Sequence, residues 1–302
     1  MSLRPLMSTL RLFRSHPLTR DDLGGVLKRF VRWQVISRLL GEPVLMPFVN
    51  DTRLITTPGE TGVTGNVYCG LHEFEDMAFA LHLLRPGDWF HDVGANVGSF
   101  TVLGAATGAQ VLAFEPIPST FARLTANVRT NRFDALVRAE NCGVAESAGV
   151  LRFISNQNTI NRVATAEDGE DSGVIEVPVH RLDDYLAECP PTLIKIDVEG
   201  FETEVLNGAR ATLASPGLHG LIVELNEGGR RFGHESGDIA AFIRAQGFAP
   251  HAYDPLTRML TPLADNATGA GIADNQIFVR DVDWVRHRLA TAPKFKVIGR
   301  EI

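Results

Sequence analysis

The stretch from Trp89 to Phe100, WFHDVGANVGSF, constrains the chain more than any other. A short apolar run ends in Asp92, a turn with two glycines follows, and an apolar helix-like stretch starts directly after it. A strand entering here must turn within a few residues, and Gly94 and Gly98 offer positive φ or bare backbone where a Cβ would block a ligand. Amides of the next helix N-terminus then face that ligand. The spacing is Gly-x-x-x-Gly, whereas a dinucleotide pyrophosphate calls for Gly-x-Gly-x-x-Gly. This favours a nucleotide-like cofactor without a pyrophosphate, against a plain strand-to-helix turn that binds nothing. The next strand-like run, Ala109 to Phe114, closes on Glu115, 21 residues after Gly94. An acid at about that spacing is placed to hold ribose hydroxyls.

Further apolar runs follow in alternation. Upstream, Val44 to Thr57 reads as two short strands, Pro58 to Gly65 as a loop, and Tyr68 to Leu84 as one helix stopped by Pro86-Gly87. Downstream, a helix opens at Pro118-Ser119, and Leu136 to Val144 is a third strand. Gly149 to Ile154 and Val174 to Val179 read as an inserted hairpin. Leu193 to Asp197 and Leu221 to Leu225 are the fourth and fifth strands, and Phe248 to Tyr253 and Gln276 to Arg280 two late ones. Strands alternating with helices predict an α/β fold with a doubly wound, mostly parallel sheet and ligands at the carboxyl ends of its strands. Asp197, Glu199, Glu224 and Asn226 all fall at that edge.

A net charge of −7 over 302 residues argues against extensive contact with nucleic-acid phosphates. The cysteines Cys69, Cys142 and Cys189 lack metal-type spacing and cannot all pair, which predicts a reducing compartment, the cytoplasm. No run approaches the roughly 20 apolar residues that span a bilayer. Residues 1–40 carry eight Lys or Arg against two Asp, with Leu23, Val26, Leu27, Phe30 and Val31 at helical spacing. Such a helix packs on its own domain or makes weak peripheral contact with an anionic membrane. The expected division is an N-terminal helix and short-strand extension over 1–66, a cofactor-binding domain over 67–285 and a C-terminal tail over 286–302.

Three segments in order, HDVGANVGSF, AFEPIPSTFARLTANVRTN and LIKIDVEGFETEVLNGA, resemble the FkbM family of S-adenosylmethionine-dependent methyltransferases, with the likeness running from about Tyr68 to Asn226. The resemblance implies a class I methyltransferase (Rossmann-like) fold, a seven-stranded sheet with six parallel strands and one late antiparallel strand. It places Asp92, Gly94, Ala95, Asn96 and Gly98 around the methionine part of S-adenosylmethionine. Glu115 and Pro116 would lie at the ribose, Asn141 and Cys142 near the adenine, and Asp197 beside the cofactor. Glu73 either reaches the cofactor or faces solvent. The acceptor implied is a hydroxyl on a sugar, glycan or natural product. A nicotinamide-dependent oxidoreductase and a noncatalytic nucleotide-binding module are the alternatives. A nucleic-acid base methyltransferase would carry an Asn-Pro-Pro-Tyr-like motif where Asp-Val-Glu-Gly stands.

An alcohol loses its proton as it is methylated, which calls for a positioned base or an acidifying metal. Asp197, Glu199 and Glu224 are the candidate catalytic carboxylates, and Asp197, Glu224 and Asn226 form a possible Mg²⁺ set. Asp197 and Glu199 can also be read, second to that role, as caps of the next helix. His91 is expected in the core, and His72, His180, His234 and His251 are possible bases. Asn158 and Asn161 are candidate contacts for a polyhydroxy acceptor.

Overall fold

The computed structural model describes residues 3–58, 61–154, 162–163, 173–225, 236–264 and 275–302. The chain begins with helices α1 (Leu3–Ser15) and α2 (Leu23–Leu40), the hairpin β1 (Val44–Pro47) and β2 (Arg53–Thr56), and helices α3 (Thr61–Cys69) and α4 (Phe74–Leu83). Alternation then sets in with β3 (Trp89–Val93), α5 (Ser99–Ala106), β4 (Gln110–Phe114), α6 (Pro118–Thr130) and β5 (Val137–Glu140). Four short strands follow, β6 (Gly143–Val144), β7 (Gly149–Ile154), β8 (Arg162–Val163) and β9 (Val174–His180). The remainder comprises β10 (Leu193–Ile196), α7 (Glu202–Asn207), α8 (Arg210–Ala214), β11 (Gly220–Glu224), α9 (Ser236–Ala245), β12 (Ala249–Asp254), β13 (Met259–Pro262), β14 (Asn275–Val279), α10 (Val282–Ala290), β15 (Lys296–Val297) and β16 (Arg300–Glu301).

The main sheet has eight strands in the order β13-β12-β14-β11-β10-β3-β4-β5. Strands β3, β4, β5, β10, β11 and β12 share one direction, and β14 is inserted antiparallel between β11 and β12. Seven of these strands match the predicted arrangement; the eighth, β13, was not expected and folds back antiparallel on β12. Because side chains alternate along a strand, one sheet face buries Phe90, Val111, Ala113 and Ile222 under α4, α5 and α10. The other buries Leu112, Phe114, Ile194 and Ile196 under α7, α8 and α9. Both faces of the central strands are covered, which is why their sequences read as unbroken apolar runs.

Three local expectations are corrected. The single helix over Tyr68 to Leu84 is two helices, broken at Gly70, whose φ of +85° a helix does not accommodate. A Cβ there would also stand 2.5 Å from Val297. The loop expected over Pro58 to Gly65 gives way to α3, which starts at Thr61. The third strand splits into β5 on the main sheet and β6 on a separate sheet of order β6-β9-β7-β8, so the inserted hairpin is part of a four-stranded unit. The split falls at Asn141, whose side-chain amide donates to the carbonyls of Glu115 and Pro116.

On α2, Val26 and Trp33 pack with Phe13, Val67, Tyr68 and Cys69, whereas Leu23, Leu27 and Val31 face outward. The apolar stripe expected to bury itself is thus divided between two sides of the helix.

Candidate functional site

Strand β3 delivers Asp92 to the carboxyl edge of the sheet, and the chain turns through Gly94 and Gly98, at φ +82° and +91°. Gly94 lies so close to the end of β10 that a Cβ would stand 1.9 Å from the carbonyl oxygen of Asp197. Gly94→Ala therefore carries a left-handed backbone penalty of about 1–2 kcal/mol in addition to a clash with backbone that cannot rotate away. We expect its melting temperature to fall by at least about 5 °C in a thermal-denaturation scan.

Glu115, at the end of β4, is buried and accepts from the amides of Asn96 (3.0 Å) and Ile117 (2.9 Å). Burial outweighs these two bonds and pushes its carboxyl up to about 7. Each oxygen retains acceptor capacity, since an ionised carboxylate offers about four lone-pair sites. Asn127 of α6 fixes the loop from behind, donating to the carbonyl of Val97 and accepting from Ile55 of the N-terminal hairpin. Asp92 accepts from the Thr101 hydroxyl at 2.6 Å through one oxygen; its other oxygen is buried without a partner among the described residues.

Lys195 is the feature that reorganises this edge. It is the polar residue of an otherwise apolar β10, fully buried, with Nζ 2.6 Å from Asp197 and 4.8 Å from the centre of the Phe100 ring. Burial opposes its charge, yet Asp197, Glu73 and Asp92 together hold it above the ordinary lysine range. Beyond Asp197 the chain turns through Glu199 (φ +56°) and Gly200 (φ +99°). That turn is braced by Glu202, which accepts from the amides of Val198 and Gly200. The N-cap position of α7 is Phe201, with no side-chain cap bond, so the helix-capping role weighed for Asp197 and Glu199 is not seen there.

Glu224 closes β11. Its Oε2 is buried and has no partner among the described residues. Burial, followed by the charges of Asp197, Glu199 and Glu202, pushes its carboxyl up to about 9.

Asp92, Glu115, Lys195, Asp197 and Glu224 line one cavity of about 710 Å³. Of the residues expected from sequence, Glu73, Asp92, Gly94, Ala95, Asn96, Glu115, Pro116, Cys142, Asp197, Glu199 and Glu224 face it. Glu73 turns inward, accepting from Asn275 on β14. Gly98 stands behind the loop against Leu124, and Asn141 braces the backbone of Glu115 and Pro116, so neither lines the cavity. Burial pushes the Cys142 thiol up to about 11, which keeps it protonated and unreactive at neutral pH.

His72 also faces the cavity, and burial lowers it, so it stands neutral. His91 is a core residue bonded to the Cys189 carbonyl; His180 bonds Tyr185, and His251 bonds the Ala249 carbonyl. Asn226, His234, Asn158 and Asn161 lie outside the described residues.

The proposed Mg²⁺ set finds no support: Asn226, its third member, lies outside the described residues. No group of three or more His, Cys, Asp or Glu side chains is arranged for a metal among the described residues. Asp197, moreover, already has the Lys195 ammonium against it, where a hard divalent cation would meet repulsion.

Six parallel strands with one antiparallel strand inserted, and a cavity at their carboxyl edge between an acid-and-glycine loop and a second acid, define a class I methyltransferase. Residues 92–250 match the family model described as the methyltransferase FkbM domain. The chain belongs to this family. It is 32% identical over 220 residues to 31-O-demethyl-FK506 methyltransferase FkbM of Streptomyces tacrolimicus, covering 61% of this chain and 82% of that one. Identity is 34% over 162 residues to hexuronic acid methyltransferase AglP of Haloferax volcanii, covering 52% of this chain and 63% of the relative, under two thirds of its length. A solved structure of methyltransferase FkbM from Methylobacillus flagellatus aligns with TM-score 0.42 and 16% identity, over 72% of this chain and 52% of that chain. Membership sets aside the oxidoreductase and noncatalytic readings. No described helix is long and apolar enough to cross a membrane.

Proposed function

We propose that this chain transfers a methyl group from S-adenosylmethionine to a hydroxyl of a sugar, glycan or natural-product acceptor, with Glu224 receiving the hydroxyl proton. The carrying observation is the buried, unpartnered Glu224 oxygen in the same cavity as the loop-anchored Glu115. Support for an oxygen acceptor comes from the relative named for an O-position of FK506, and support for a sugar from the relative named for a hexuronic acid.

The cofactor, when bound, supplies an electrophilic methyl group. Glu115 would accept from the ribose hydroxyls, the bare backbone at Gly94 would admit the methionine portion, and Cys142 would lie against the adenine. Lys195 and Asp197 hold each other in fixed geometry and leave Glu224 the better placed proton acceptor. In the chain alone Glu224 retains its proton at neutral pH, because it is pushed up to about 9. A positive charge bound in the cavity favours its ionised form, so filling the cavity prepares the base. The burial of all three cysteines as free thiols supports the cytoplasm as the working compartment.

Calorimetry with S-adenosylmethionine, with NAD as control, tests the cofactor. Glu115→Ala removes contacts worth about 1.5–3 kcal/mol and should weaken S-adenosylmethionine binding at least about tenfold. Unchanged affinity in a folded variant would overturn the ribose assignment. Transfer of labelled methyl to uronic acid and polyol acceptors then tests the reaction, and a cofactor-binding protein without methyl transfer to any alcohol would contradict it.

A further inference from the structure

Helix α2 carries an apolar row that the fold does not cover. Leu23, Leu27, Val31, Val35 and Leu39 follow at every fourth position and are 38%, 42%, 56%, 49% and 78% exposed. On a helix of about 3.6 residues per turn this spacing advances the row about 40° per step, so the five side chains spread over about 160° of the outward half of the helix. The opposite side is fully engaged: Val26 and Trp33 are buried against α1 and α3, and Arg29 donates to the Tyr68 carbonyl. The exposed row is therefore not a packing face left loose, since the helix already has one.

Its chemistry is amphipathic in a particular way. Lys28, Arg32 and Arg38 are exposed on the same outward side, and the eighteen residues of α2 contain no acid. Neither does α1, which adds exposed Met7, Arg11 and Arg14. The rest of the protein is acidic enough to bring the net charge to −7 despite this basic end.

We propose that α2 docks in the headgroup layer of an anionic lipid surface, with its leucine and valine row inserted and Lys28, Arg32 and Arg38 on the lipid phosphates. A helix of this kind lies in the interfacial plane with its apolar side sunk about 5–10 Å. Each cation near an anionic surface adds attraction of comparable size, lost at high salt. A second copy of the chain is the poorer occupant. A face-to-face pair would set the basic flank against itself, and like-charge juxtaposition is costly. Helix α3 packs on α2 and contributes Val63 and Asn66 to the cavity, so docking would bring the reaction site close to the lipid surface.

The test is cosedimentation of the full chain with vesicles of phosphatidylcholine alone and of phosphatidylcholine mixed with phosphatidylglycerol. Binding is expected to the mixed vesicles only and should be reversed by high salt. Leu27→Ser/Val31→Ser and Lys28→Glu/Arg32→Glu should each lower the partition at least about tenfold. All four positions are exposed and outside the cavity, so melting temperature and methyl transfer should stay unchanged. Equal pelleting with neutral vesicles, no pelleting, or undiminished binding of both variants would overturn the proposal. So would a concentration-dependent dimer abolished by Leu27→Ser/Val31→Ser, which would give the face to a second copy.

Discussion

Glu224→Gln is expected to lower turnover by ~10²-fold or more while leaving cofactor affinity nearly unchanged, the scale of a lost general base. Glutamine keeps the size of the side chain and removes the proton acceptor, so a steady-state assay paired with calorimetry separates chemistry from binding. Stability should move the opposite way. The native carboxyl keeps its proton up to about pH 9, whereas the unfolded one releases it in the ordinary glutamate range. Between those limits the native state binds more protons, and the wild type loses stability as pH rises through the window. The glutamine variant has no such loss. It should melt above the wild type at pH 8 and level with it near pH 4.5. Normal turnover in this variant would transfer the proton to another cavity group, such as His72, Asp197 or Glu199.

Lys195→Met should destabilise the fold by ~3–5 kcal/mol, the penalty for stripping the partner from a buried charge, and lower the melting temperature by about 10 °C. The size follows from what the ammonium faces: Asp197 at 2.6 Å, with Glu73 and Asp92 completing the field that holds it charged. Asp197→Asn alone leaves Lys195 with those two remaining acids and should cost less. Because the two groups share one interaction, combining the substitutions should cost less than their sum, and a double-mutant cycle reads that coupling directly. Strict additivity would mean that the pair is not coupled in solution.

What the sequence makes legible follows from how local each feature is. Asp92, the glycine turn and Glu115 are contiguous signals at fixed spacing, and the strands that carry them are buried on both faces, so their apolar runs stand out. The split of the third strand at Asn141 depends on two carbonyls about 25 residues upstream, and the helix break at Gly70 on contact with Val297, near the other end of the chain. No local pattern contains either partner. The acidic edge shows the same division. Asp197, Glu199 and Glu224 announce themselves at strand ends, yet their different circumstances come from Lys195 and Glu202. Lys195 was visible as a lone cation in an apolar strand, a signal that a buried carboxylate partner waits nearby. Asn127 and Asn275 gave no such signal, since an asparagine on a helix or at a strand start is unremarkable until its partners are placed. On α2, periodicity located an apolar row correctly along the helix but could not tell that Val26 and Trp33 would take the inward side.

The central claim, a cofactor held by Glu115 with its reactive end beside Glu224, is tested most directly by a crystal structure of the chain with S-adenosylhomocysteine. The account predicts both ribose hydroxyls within hydrogen-bond distance of the Glu115 carboxylate and the thioether sulfur facing the part of the cavity lined by Lys195, Asp197 and Glu224. A ribose bound away from Glu115, or a sulfur directed to the opposite end of the cavity from Glu224, would contradict it.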